Sequence, residues 1–537
     1  MTAPNDAARG VTPVSSTRVL ERPNPSSADA VTSANTTVTT RQPRVIGVDV
    51  ARGLALVGMM ATHVFATLDD NGNPTTAHVV AGGRAATTFV LIAGVSLAFL
   101  SGGRRSVHGR ERIAVSAGLA VRALLIGAIG LALGYLSGAN GISGILPFYA
   151  VLFLLAIPLL GCPPMILLGV AAAATILGPV LLLATADAGL PYTETDPTFG
   201  TLLQDPVGLL AQLFLTGEYP VVVFLAYLCV GLAIGRLDLR SPRLAWLLLG
   251  CGAALALAAR AVSAVLLYPM GGLARLIEQD GLAGDPTEVS ALLWEPEGSS
   301  SWWYLALPAP HSHSTIDLLH TLGSAAAVLG AALLLTRIQA VSRALSPLAV
   351  AGAMSLTLYS AHLILLASGV QNGRPALTFL FMVLGALVLA SAWRYLFGQG
   401  PLEALVAKSA TAARAGVARL APPRPGRTGQ HRTIPKTTAT RAGAHLLLPI
   451  ACAGVLALVF WAGAQLTTQS TATTDAADTP VSASNGTADD TTDDDATDDT
   501  DADTDAEAEA EAEAEAEATD DDTTDDQTTE DEATDED

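Results

Sequence analysis

The chain has little charge and very little cysteine, and it lacks the motifs of the common soluble enzyme classes. Only 15% of its 537 residues are Asp, Glu, Lys or Arg, against 50% hydrophobic residues. This balance excludes an ordinary soluble domain over most of the length and points to a membrane protein with polar ends. The four cysteines, Cys162, Cys229, Cys251 and Cys452, stand apart from one another in apolar runs, so neither a disulfide framework nor a CxxC metal site is indicated. No HExxH, P-loop or kinase motif set occurs, which removes the usual machinery for metal-dependent proteolysis and nucleotide hydrolysis. Residues 1–43 lack an apolar run and are rich in Ser, Thr, Pro and Asn, so they read as a disordered cytoplasmic segment rather than a signal peptide.

Basic residues are missing altogether from one long stretch. From Asp475 to Asp537 there are 29 acidic residues and no Lys or Arg; taking these from the total of 50 leaves 21 acids against 29 bases elsewhere, a balance of +8. The formal net charge of -21 therefore describes the tail and not the body. With its Asp/Thr runs and Ala-Glu alternation, the tail cannot bury enough apolar surface to fold and is expected to be solvated.

What is abundant is long apolar sequence. Stretches near the roughly 20 residues needed to cross a bilayer fall at 46–67, 84–101, 113–136, 144–161, 164–185, 219–236, 244–269, 314–336, 346–369, 375–396 and 444–466. A shorter apolar segment, Pro206–Leu215, reads as re-entrant or interfacial. Basic residues alternate between loops as the positive-inside rule requires. Arg41 and Arg44, the Arg104–Arg112 loop, Arg236–Arg243, Arg337 with Arg343, and Lys408–Arg441 fall on one side, and acidic loops fall on the other. The expected protein is an all-α, polytopic integral membrane protein of the plasma membrane. Its segments are a disordered cytoplasmic lead (1–43), a ten-helix core (44–407), a basic cytoplasmic linker (408–443), one extra C-terminal transmembrane helix (444–466) and a disordered acidic extracytoplasmic tail (467–537).

Ionisable residues inside spans are costly, on the order of 2.5–3.5 kcal/mol each on insertion scales, and mark functional sites by default. The first span carries Asp49, Arg52 and His63. At about 100° per residue the eleven steps from Arg52 to His63 return to within roughly 20° of the start, so the two share a helix face about 16 Å apart along the axis. That separation suits two stations on a path better than one dyad. His63, His78, His311, His313, His320 and His362 all fall toward the extracytoplasmic side, where an imidazole with a pKa near 6.5 can act as a general base. Ser355, Tyr359 and His362 form one polar face at i, i+4 and i+7. The run from His311 through Asp317 to His320 reads as a substrate-facing mouth rather than a metal centre, with Ser314 or Thr315 as an ordinary helix N-cap. Arg122 and Arg260 lie inside spans and each needs an acid, a carbonyl or water; Asp49 is a candidate partner.

The run Gly47-Val-Asp49-Val-Ala-Arg52-Gly53 to His63 resembles the opening of the multi-pass transmembrane acyltransferases, whose acyltransferase-3 branch has an Arg-x10-His pattern. More of the chain resembles the bacterial DUF418 group and the heparan-alpha-glucosaminide N-acetyltransferase catalytic-domain-like family. The similar pieces include Gly83-Arg84, Ala93-Gly94-Val-Ser96, Ile145-Leu-Pro-Phe-Tyr149, Thr216-Gly-Glu218-Tyr219-Pro220, Gly231 to Asp238, Met354 to His362, and Gly400-Pro401-Leu402-Glu403. The resemblance implies acyl transfer from cytoplasmic acyl-CoA to an extracytoplasmic sugar or envelope acceptor, with no resident cofactor and no metal. In the acyltransferase-3 branch the essential pair maps to Arg52 and His63, while in the glucosaminide branch the active histidine lies in the outer loop, nearest to His78. His311-Ser312 resembles a Pro-His-Ser-Gly pattern in related chains, with His313 in place of the glycine. The expected catalytic set is thus His63, His78, Arg52 and Asp49, and the expected substrate-binding set His311, Asp317, Tyr359, His362, Glu218 and Arg122. Expected partners are the lipid bilayer, acyl-CoA and the outer acceptor, with self-association left open and no nucleic acid. The competing reading is a permease without covalent chemistry, whose signature would be inverted repeats and paired broken helices.

Overall fold

The computed structural model describes residues 44–137, 142–186, 188–190, 195–282, 285–369 and 373–419. The lead at 1–43, the linker from 420 onward, the span at 444–466 and the acidic tail lie outside the described residues. In chain order the helices are α1 (Ile46–Val64), α2 (Thr76–Ala81), α3 (Arg84–Leu100), α4 (Gly109–Ser137), α5 (Leu146–Leu159), α6 (Pro164–Thr185), α7 (Phe199–Gln204) and α8 (Pro206–Ala211). A π-turn (Gln212–Thr216) leads to α9 (Val221–Gly235), α10 (Pro242–Leu267), α11 (Gly272–Gln279) and α12 (Pro286–Trp294). After a 3-10 turn (Trp302–Ala306) come α13 (Thr315–Leu335), α14 (Gln339–Ala344), α15 (Ser346–Ala353), α16 (Ser355–Ala367), α17 (Pro375–Phe397) and α18 (Pro401–Arg419). α18 runs through position 408, where core and linker divide in the sequence. Among the described residues there are no strands, only an isolated bridge between Leu68 and Pro74.

The protein is a helical, multi-pass membrane protein, but its helices do not all qualify as simple spans. Six are long and apolar enough to cross a bilayer, or eight if each of two bent helix pairs is one span, against the ten expected for the core. The difference has physical causes. α1 has the length, but Asp49, Arg52 and His63 dilute its apolarity. α5 has only 14 residues. The apolar runs 206–235 and 346–367 are each broken, with bends of 57° and 83°.

Side-chain size decides the packing. α3 lies against α9, α1 against α15, α10 against α13, and α4 between α5 and α18. Gly94 of α3 and Gly231 of α9 meet the facing backbone so closely that a Cβ on either would overlap it, as small residues allow between membrane helices. Gly352 of α15 presses in the same way on the backbone at Asp49 and Gly53 of α1. α3 and α9 are buried along most of their length, whereas α17 leaves Leu377, Phe381, Leu384 and Val388 exposed, the all-round apolar character of a helix that faces lipid.

The sharper break separates α15 from α16 at Met354, with no proline at the kink. A carboxylate causes it. Glu403 Oε1 accepts hydrogen bonds from the backbone N–H groups of Leu356 (2.8 Å) and Thr357 (3.0 Å), and Oε2 accepts from Thr357 Oγ1 at 2.6 Å. The first amides of a helix have no partner within it and carry its positive dipole end, so a half-buried carboxylate at this point favours starting a new helix over continuing the old one.

Candidate active site

A cavity of about 1270 Å³ enters the bundle from the end that carries Arg44, Arg104 and Arg240. It exceeds the roughly 300–1,000 Å³ typical of drug-sized ligands. Six arginines (44, 52, 104, 122, 240 and 394) and three carboxylates (Asp49, Asp238 and Glu403) line it. Two of the carboxylates are engaged at the rim: Asp49 Oδ2 with Arg44 Nε at 2.6 Å, and Asp238 with Arg104 at 3.6 Å. The lining thus keeps a surplus of guanidinium groups, which suits a phosphate-bearing ligand. Phe89, Phe153, Tyr149, Ile145 and Tyr359 form apolar and aromatic walls farther in.

Arg52 stands on this wall because α1, α3 and α15 each offer it an acceptor. Its guanidinium donates to Ser96 Oγ (2.5 Å), to the Gly352 carbonyl (3.3 Å) and to Asp49 Oδ1 (3.5 Å). The close approach of Gly352 to α1 is what brings that carbonyl within reach. Tyr149 is 3% exposed and its hydroxyl has no hydrogen-bond partner among the described residues, so an unspent donor lies at the cavity lining. The Tyr359 hydroxyl accepts the Ile145 N–H at 3.1 Å.

Directly behind Tyr359 lie two histidines. The ring of His362 meets that of Tyr359 edge-on with centroids 5.0 Å apart. His362 Nε2 is 3.0 Å from His63 Nδ1, and the two imidazoles stack with centroids 5.2 Å apart. One of the two nitrogens must carry the shared proton. Arg52 and His63, eleven residues apart on α1, therefore occupy separate positions, the first on the cavity wall and the second beside its inner end.

The far end of the bundle holds a second group. His311 Nδ1 lies 2.9 Å from Glu218 Oε1, and Tyr219 packs edge-on against both Phe148 and His311. Burial disfavours a charged His311, but the Glu218 carboxylate, which also hydrogen-bonds it, and Asp317 outweigh burial and hold its pKa above the ordinary imidazole value. Burial and the neighbouring His311 charge push His313 the other way, to about 4. Among the described residues His311 and His313 are the non-glycine residues with positive φ, 60° and 53°, an uncommon and strained conformation that collects at functional sites. The loop is pinned on both flanks, with Ser312 Oγ donating to the Ala309 carbonyl (3.0 Å) and Ser314 Oγ donating to the Leu307 carbonyl (2.5 Å). Ser314 is the N-cap of α13, accepting from the Asp317 N–H at 2.9 Å.

The matched segment comes next in this geometry. The family model described as heparan-alpha-glucosaminide N-acetyltransferase, catalytic, matches residues 44–262. This segment belongs to the heparan-alpha-glucosaminide N-acetyltransferase catalytic-domain-like family. No curated protein and no solved structure matches the chain. The match covers residues 44–262 of the 537, and what it shows is the likeness of this segment to the catalytic part of an acetyltransferase family. It includes Asp49, Arg52, His63, His78, Arg122 and Glu218, and it ends before His311, Tyr359, His362 and Glu403, which the fold brings to the same helices.

Of the residues expected from sequence, Asp49, Arg52, Arg122 and Tyr359 line the cavity. His63 and His362 meet at its inner end, and His311 with Glu218 forms the outer pair. Asp317 is buried near that pair, its carboxyl accepting from the His313 backbone N–H. His78 lies on the short α2, 3.4 Å from Thr75 Oγ1 and within electrostatic reach of His311. His320 turns to Arg84, whose Nε donates to its Nε2 at 3.0 Å. Arg260 donates to the Pro308 carbonyl at 3.3 Å, leaving Asp49 to Arg44 and Arg52. Among the described residues no three His, Cys, Asp or Glu side chains are placed to hold a metal ion. Sequence reasoning gave no role to Ser96, Tyr149 or Glu403. Each lies in a segment that resembles the family, so the signal was there, but the contacts that bring Ser96 to Arg52 and Glu403 to α16 join residues more than 40 positions apart, and the Tyr149 hydroxyl has no partner among the described residues.

Proposed function

We propose that the protein transfers an acyl group from a phosphate-bearing thioester of the acyl-CoA class, entering from the cytoplasmic side, to a hydroxyl or amine of a sugar or envelope acceptor on the opposite side. The observation that carries this reading is the cavity itself. It is lined by arginines and, farther in, by Tyr149 and Tyr359, and the His63–His362 pair lies against Tyr359. In this reading the outer arginines hold the phosphates of the donor. Arg52, fixed by Ser96, Asp49 and the Gly352 carbonyl, holds the inner part of the donor, and the unspent Tyr149 hydroxyl meets a polar atom of the acyl end. His63 serves as the acid–base group beside the acyl end of the donor, with His362 setting its tautomer and orientation, as a positioned imidazole can at neutral pH. Asp49 is a positioning residue that keeps Arg52 and Arg44 in place, and Arg122 adds charge to the donor wall.

The test is transfer of labelled acyl groups in sealed vesicles containing the protein. His63→Ala is expected to lower kcat by roughly 10²–10⁴-fold with little change in donor KM, the range for loss of general acid–base catalysis. Arg52→Ala is expected to raise donor KM. Unchanged kcat in His63→Ala removes His63 from the chemistry, and absence of acyl transfer by the unaltered protein from any acyl-CoA removes the reading.

One observation favours the permease reading: two broken helix pairs lie in the bundle, as in transporters whose half-helix ends bind substrate. The α16 end, however, is filled by Glu403, so its amides are spent on the protein itself. Counterflow of labelled solute without acylated product would decide for transport.

A further inference from the structure

The His311–Glu218 pair lies outside the donor cavity and has no part in the steps assigned above to His63, yet it is built with unusual care. The π-turn at Gln212–Thr216 immediately precedes Gly217 and Glu218, and π-turns concentrate at functional sites. Glu218 meets His311 through Nδ1, which leaves Nε2 as the nitrogen not engaged by the carboxylate. The side chains of both partners keep contact with solvent, His311 being 30% and Glu218 41% exposed. The His311 backbone is held at φ 60° and that of His313 at 53°, by a loop fastened through Ser312 and Ser314. Strain of this kind persists only where the surroundings over-determine it.

We infer that His311, oriented by Glu218, is the acid–base group that activates the acceptor nucleophile at the outer end of the path. The inference rests on the acyl-transfer reading and deepens it: the acceptor is a neutral hydroxyl or amine that approaches from the histidine end and contacts His311 Nε2. The acceptor X–H proton passes to Nε2 as X attacks the thioester carbonyl carbon. A C–X bond forms, the C–S bond breaks, and the departing thiolate takes up a proton, so acceptor and thioester become acylated acceptor and thiol. Glu218 is a positioning residue that fixes the ring through Nδ1, the arrangement that orients a histidine base elsewhere. His63 and His362 then serve the donor side of the same transfer.

The groups that face His311 are Glu218 before α9, Asp317 on α13, His313 in its own loop, His63 on α1 and His78 on α2. Its pKa is held above the ordinary value chiefly against burial by Glu218. As a base His311 must be neutral, so activity should rise with pH, with a midpoint above 6.5.

The decisive experiment measures the pH profile of acyl transfer together with carbethoxylation of His311 by diethyl pyrocarbonate, which reacts with a neutral, reachable imidazole. In the unaltered protein, His311 is expected to be modified with a midpoint that matches the acid limb of kcat. Glu218→Gln should lower kcat at least roughly tenfold and move both midpoints down by about one pH unit, the effect of removing an adjacent opposite charge. His311→Asn should lower kcat by roughly 10²–10⁴-fold and abolish the limb. Transfer that persists in His311→Asn with an unchanged limb overturns the inference while leaving the acyl-transfer reading standing. A His311 that is not modified, or whose midpoint ignores Glu218→Gln, overturns it even where no transfer is measured.

Discussion

Glu403 offers the most direct test of how the broken helix shapes the cavity. Its carboxylate accepts from two backbone amides and one hydroxyl at the first turn of α16, and α16 carries Ser355 and Tyr359 into the cavity wall. Glu403→Gln keeps an amide oxygen for the two N–H groups and an NH2 that can donate to Thr357 Oγ1, so it removes the charge and little else. The charge at a helix N-terminus contributes about 1 kcal/mol in a partly buried setting, equivalent to about fivefold in a local opening equilibrium. Glu403→Ala instead strands two amides at about 1–3 kcal/mol each, so the first turn should open by at least about 2 kcal/mol, or roughly thirtyfold. Hydrogen exchange at residues 355–358, in protein held in nanodiscs, reads this directly. The expected order is a small acceleration in the Gln variant and a large one in the Ala variant, with donor KM rising in step. Equal exchange in both variants and the unaltered protein would refute the claim that this carboxylate sets the break.

Other outcomes follow from the same contacts. Gly352→Val places a side chain against the backbone of α1, so α1 and α15 must separate, Arg52 loses the Gly352 carbonyl, and donor affinity should fall more than protein yield. Distance measurements between labels on α1 and α15 check the separation. The outer loop should respond to pH in two opposite ways. His311, raised, contributes stability that is complete below about pH 6.5 and is lost as pH rises through its folded value. His313, lowered to about 4, contributes stability that is complete above about pH 6.5 and is lost as pH falls toward 4. Limited proteolysis of the loop should therefore be slowest near neutral pH. His313→Gln should flatten the acid side alone and Glu218→Gln the alkaline side alone; a loop whose cleavage ignores pH would show that neither histidine is coupled to folding.

Much of the layout was legible in one dimension because bilayer solvation acts on local sequence. Every apolar stretch proposed within the described residues became helix, since a backbone in hydrocarbon must satisfy its own hydrogen bonds. The i, i+4, i+7 face of Ser355, Tyr359 and His362 survives as one side of α16, because helical periodicity needs no partner to be read. Ser314 as the N-cap of α13 was legible for the same reason. The number of spans was not. An apolar run reads the same whether it is straight or bent by 83° at Met354, and the residue that bends it, Glu403, lies 49 positions later.

The sequence by itself determined that the chain is an α-helical membrane protein, with Asp49, Arg52 and the histidines as costly polar groups inside it and its acidic excess confined to one segment. These follow from composition and from spacing along a single helix. Only the tertiary structure decided that Asp49 pairs with Arg44 and Arg52, that His63 meets His362, and that Glu218 meets His311. Each of those contacts, apart from the neighbours on α1, joins residues tens to hundreds of positions apart. It depends on helices approaching at glycines such as Gly94, Gly231 and Gly352, where the absence of a Cβ sets the distance between backbones and so decides which side chains touch.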